Sequence, residues 1–66
     1  MKKVFEMGQE VIWHIEEFGK VSDIKAIITE VHSDHYIART VGNDFNNYND
    51  MNLYIDEDTE VDFFAR

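Results

Sequence analysis

The stretch AIITEVHSDHYIART, residues 26–40, decides the fold. Two runs rich in Ile, Val, Thr and Tyr flank the four residues His32-Ser33-Asp34-His35. Side chains of that kind favour a pleated, half-buried surface. Serine and aspartate at the centre of a reversal can bond their own backbone, so the pattern predicts a β-hairpin with Ser33-Asp34 at its tip. His32 and His35 then form a cross-strand pair beside the turn. Two imidazoles need further ligands from elsewhere to hold a metal, and a structural zinc site takes four. Asp34, at the tip, is expected to point away. The stretch reads as a turn and not as a site of chemistry.

The neighbouring segments repeat the same period. In EVIWHIEEF (residues 10–18), Val11, Trp13 and Ile15 alternate with Ile12, His14 and Glu16, which predicts a strand. Gly19-Lys20 ends it. A second strand is expected over residues 24–32, with Ile27, Thr29 and Val31 as its core face, and a third over 35–41. The asparagine- and aspartate-rich loop GNDFNNYNDMN (residues 42–52) leads to a short fourth strand, Leu53 to Ile55. DEDT then suggests one tight turn or one 3₁₀ turn, and EVDFF (residues 60–64) a fifth strand. No window places apolar residues at i, i+3, i+4 and i+7 over a helix's length. The chain is expected to be all-β, with Trp13, Val31 and Ile55 in its core.

Sixty-six residues suffice for one domain. A domain this small buries only about 60% of the surface its unfolded chain exposes. There is no cysteine, so neither a disulfide nor a cysteine-ligated zinc can compensate. Five Phe, three Tyr and one Trp can, because each aromatic side chain buries about 150–250 Å². Residues 1–7 are a candidate covering segment, with Val4 and Phe5 available to fold over a spare ring. Neither a targeting signal nor an apolar run of membrane-spanning length is visible, so a cytoplasmic protein is expected.

The order of elements resembles the small SH3-like β-barrel, in which a five-stranded sheet is bent into two packed halves. The supporting phrases are GQEVIWHI, AIITEV followed by DHYIAR, and NLYIDEDTE. The order that carries the resemblance is five short strands with a longer loop early in the chain, a tight hairpin in the middle and a one-turn link before the last strand. An OB-like barrel is the alternative, and it normally needs a longer chain. Departures from the family pattern are the absence of an aromatic peptide-groove motif and of a basic strip. In size, charge and use of Asn, Asp and aromatic residues, the chain is also similar to short acidic proteins of bacteriophages and mobile elements.

Fourteen acidic against six basic residues give a net charge of −8. From residue 41 onward, seven acids (Asp44, Asp50, Asp56, Glu57, Asp58, Glu60 and Asp62) face one base, Arg66, a net of −6. A field of that sign repels phosphate, so direct nucleic-acid binding is disfavoured. The alternation of Asp56, Asp58, Glu60 and Asp62 is like a calcium loop only superficially, because Val61 stands where such a loop has glycine. With two serines outside any nucleophile context, no catalytic residue, cofactor or metal is expected.

Phe63-Phe64 is the most informative pair. Neighbours in a strand point to opposite faces, so one ring is expected to enter the core and the other to lie outside. The expected function is a non-enzymatic, acidic protein-interaction module, and the phage-like character implies an inhibitor that mimics nucleic acid. Asp44, Asp50, Asp56, Glu57, Asp58, Glu60 and Asp62 would meet a protein with a basic surface, with Tyr54 and Phe64 as apolar anchors. Two rivals stand beside it: a nucleic-acid-binding barrel stacking bases on Trp13, Tyr36 and Tyr54, and a self-associating homodimer.

Overall fold

A computed structural model describes residues 2–42 and 49–66; Asp44, Phe45 and Tyr48 lie outside the described residues. Among the described residues, five strands build one antiparallel sheet: β1 (Glu10–Glu17), β2 (Lys20–Val31), β3 (Tyr36–Thr40), β4 (Asn52–Ile55) and β5 (Phe63–Ala65). Their order across the sheet is β4-β3-β2-β1-β5, so β4 and β5 form its two edges. The chain is all-β, as the alternation predicts, and the hairpin tip falls on Ser33-Asp34. His32 N–H donates to the His35 carbonyl at 2.9 Å, closing the reversal.

The core lies on one face of this sheet. Val11, Ile24, Ala26, Ile28, Tyr36, Ala38, Leu53, Ile55 and Phe63 are buried there, with Phe5 added from the N-terminal segment. Phe5 meets the Tyr36 ring edge-on at 5.4 Å, and Trp13 stacks on Phe63 with centroids 6.1 Å apart. Ile55 is fully buried, whereas Trp13 is half-buried against the cluster.

Several expectations need correction. The core face of β2 carries Ile24, Ala26 and Ile28 rather than Ile27 and Thr29, and Val31, though paired with the core residue Tyr36, is not buried. Lys25 is the reason, because it shares its face with Ile27 and must reach water. Thr29 is then the extra residue of a β-bulge between Ile28 and Glu30, its hydroxyl donating to the Ile37 carbonyl at 3.2 Å. Past the bulge Val31 is 46% exposed. The early connection is a tight two-residue turn and not a longer loop, since Glu17 pairs with Lys20 across Phe18-Gly19. Both turn residues have positive φ, 51° and 77°, the signature of a type I′ hairpin. Residues 60–62 form a 3₁₀ turn instead of the start of the last strand.

β1 and β2 outrun their neighbours. β5 pairs only with Val11, Ile12 and Trp13, and β3 meets β2 only from Ala26 onward. Residues 14–23 therefore project as a two-stranded arm with Phe18 at its tip, fully exposed.

Candidate functional site: the outer face of the sheet

Alternation along each strand fixes what the face opposite the core must carry. On β1 it is Glu10, Ile12 and His14; on β2, Asp23, Lys25 and Ile27; on β3, Ile37 and Arg39; on β4, Asn52 and Tyr54; on β5, Phe64. The register aligns one apolar residue per strand. Ile12 is paired directly with Phe64, and Ile37 with Tyr54. Ile27 opposes Glu10 and Arg39, so it sits diagonal to Ile12 on one side and to Ile37 on the other. Diagonal neighbours lie about 7–8 Å apart, within reach of long side chains. The result is a diagonal stripe, Phe64–Ile12–Ile27–Ile37–Tyr54, with one apolar residue from each of the five strands. Its aromatic ends are about half exposed, Phe64 at 49% and Tyr54 at 53%, and the three isoleucines are half-buried.

Imidazoles gather at both ends. His32 and His35 stack at 4.4 Å, and His35 stacks in turn on Tyr54 at 4.5 Å. His14 meets the Phe64 ring edge-on at 6.3 Å. Each of the three imidazoles bonds a carboxylate: His14 with Asp23 at 2.7 Å, His32 with Glu30 at 2.8 Å and His35 with Asp34 at 2.6 Å. Asp34 therefore folds back onto His35 instead of pointing away. That hydrogen bond is the main cause holding the Asp34 carboxyl below its ordinary range. Two further ion pairs border the stripe, Arg39 with Asp50 at 3.5 Å and Arg66 with Glu10 at 3.1 Å.

The acidic residues of the C-terminal half are divided in their tasks. Asp56 is an internal cap: its carboxylate accepts from the backbone N–H groups of Asp58 and Thr59, both at 3.0 Å, and from the Thr59 hydroxyl at 3.2 Å. Glu60 is only 4% exposed and accepts from the backbone amides of Lys2 at 2.9 Å and Lys3 at 3.4 Å. A buried carboxylate held in this way fastens the N-terminal segment to the 3₁₀ turn. Both of its oxygens are engaged within the fold. Glu57, Asp58, Asp62 and Asp50 stay exposed. Among the described residues no three His, Asp or Glu side chains converge to hold a metal.

Of the two adjacent phenylalanines, Phe63 is buried and Phe64 faces outward. Lys3 covers the outer ring, with its ammonium 4.2 Å from the Phe64 centroid and donating to the Phe63 carbonyl at 2.6 Å. Trp13 and Tyr36 lie on the core side. The Tyr36 hydroxyl accepts from Phe5 N–H at 3.2 Å and donates to the Lys3 carbonyl at 3.4 Å. Tyr54 alone of those three aromatics belongs to the outer face. Sequence reasoning misses the three isoleucines of the stripe. Their signal is present: Ile12 and Ile27 sit among polar residues on faces that a one-sided core does not need.

Compared with known protein families, curated proteins and solved structures, the chain gives no match.

Proposed function

We propose that the protein is a non-enzymatic interaction module that binds a protein with a basic surface through the outer face of its sheet. The carrying observation is the stripe Phe64–Ile12–Ile27–Ile37–Tyr54, apolar across all five strands and bordered by ion pairs. An apolar centre with aromatic anchors inside a charged rim is how stable protein interfaces are organised. The net charge of −8 selects the partner: a basic surface is drawn in and oriented, and an acidic one is repelled. Exposed Glu57, Asp58 and Asp62 contribute to that net charge, and Asp56 and Glu60 are already engaged within the fold. A host protein that normally grips phosphate fits this description, with carboxylates replacing phosphates as in a phage-type inhibitor.

The nucleic-acid rival keeps one observation in its favour. The His32–His35–Tyr54 stack lies on the face that carries Lys25 and Arg39, and exposed rings can stack bases. The two readings part in one experiment. Binding to the protein partner should vanish in Ile27→Asp with the fold intact, and should weaken steeply as salt is raised from about 0.05 to about 0.5 M. Binding to a single-stranded oligonucleotide at roughly physiological salt, with about micromolar affinity, would overturn the protein-partner reading.

A further inference from the structure

The lysine resting on Phe64 has a meaning beyond packing. The Phe64 ring presents the negative face of its quadrupole, and the Phe63 carbonyl adds an acceptor beside it. One cation satisfies both: Lys3 Nζ, at 4.2 Å from the ring centroid and 2.6 Å from the carbonyl oxygen. The backbone of Lys3 is held independently, because the buried Glu60 carboxylate fastens the amides of Lys2 and Lys3. Phe5 and Tyr36 anchor the next turn of chain in the core. Its ammonium can therefore leave by a change of side-chain rotamer, with the segment still clasped. Ring and carbonyl would remain as an open seat at one end of the apolar stripe.

We propose that Phe64 and the Phe63 carbonyl form a receptor for a single ammonium or guanidinium group, filled in cis by Lys3 until a basic side chain of the partner replaces it. The proposal rests on the protein-partner reading and specifies its chemistry: a lysine or arginine, presented beside an apolar patch that covers Ile12. Guanidinium is the stronger ligand, since it can lie flat on the ring and still donate to the carbonyl. An exposed cation–π contact is worth about 0.5–1 kcal/mol, so Lys3 withholds the seat by roughly 2- to 5-fold.

The probe is an acetylated, amidated Gly-Arg-Gly-Arg-Gly peptide, titrated at low salt into the isotope-labelled full chain and followed by backbone and ring resonances. Shifts should concentrate at Phe63, Phe64 and His14. Lys3→Ala should tighten binding about 2- to 5-fold relative to Lys2→Ala, which removes the same charge without touching the ring. Phe64→Leu, which keeps apolar area and removes the quadrupole, should abolish the localised shifts, with unchanged circular dichroism as the check on folding. Equal affinities in the two lysine variants would overturn the proposal. So would full binding by Phe64→Leu, or shifts confined to Glu57, Asp58 and Asp62. None of these results touches the wider reading, which stands or falls on Ile27→Asp and on the oligonucleotide.

Discussion

Phe18 occupies a position that its side chain does not suit. It is the first residue of a type I′ turn with φ at 51°, a left-handed conformation natural to Asn, Asp and Gly and costly to a bulky residue. The left-handed region costs an ordinary residue about 1–2 kcal/mol, and asparagine recovers part of that through local hydrogen bonding. No burial offsets the strain, because the ring is fully exposed. Phe18→Asn would set an asparagine directly before Gly19, the favoured two-residue sequence for this turn, at no loss of core. A gain of about 0.5–1 kcal/mol is expected, which in a domain this small raises Tm by roughly 2–8 °C. Phe18→Ala keeps a Cβ in the same conformation and should leave stability nearly unchanged. Urea and thermal unfolding followed by far-UV circular dichroism measure both. A Phe18→Asn variant that is less stable than the parent, or an alanine variant that gains as much, would refute the strain argument.

The packing and the clasp set three further outcomes. Ile55→Ala removes a fully buried side chain beneath the sheet and should cost about 2–5 kcal/mol, enough to unfold much of the population; a variant with the parent's denaturation midpoint would place Ile55 outside the core. Glu60→Ala should cost about 1–3 kcal/mol by leaving the amides of Lys2 and Lys3 without their acceptor, and should speed hydrogen exchange at Lys3; unchanged exchange would show that the clasp holds nothing. Asp34 titrates below the ordinary aspartate value, about 3.9, chiefly through its bond to His35. A depressed carboxylate contributes stability that is present above the unfolded value and lost as pH falls through the folded one. His35→Ala should therefore raise the Asp34 midpoint toward the ordinary value, read by NMR titration, and an unmoved midpoint would assign the depression elsewhere.

Particular residues explain what is legible in the sequence. The hairpin at Ser33-Asp34 can be read because β-branched runs and turn formers agree there. Phe63-Phe64 announces one inward and one outward ring for a purely geometric reason. The core face of β2 is ambiguous because both of its alternating sets contain isoleucine. Asp23 and Lys25 mark one set as outward and Glu30 marks the other, and the bulge at Thr29 shifts the phase again before Val31. Glu60 looks like one more surface acid, since its buried role depends on the return of the N-terminal segment from 57 and 58 residues away. The stripe has the same origin. Its five members come from five strands, so only the register could align them.

The central claim is that the outer sheet face meets a protein, and photo-cross-linking from that face tests it most directly. A benzophenone amino acid is placed at position 27, at the centre of the stripe, and in a second variant at position 20, on the opposite side of the arm. Irradiation in cells should give one discrete covalent protein adduct from position 27, lost when Tyr54 and Phe64 are both changed to serine, and none from position 20. An adduct from position 20 alone, or cross-linking of position 27 to nucleic acid, would contradict the account.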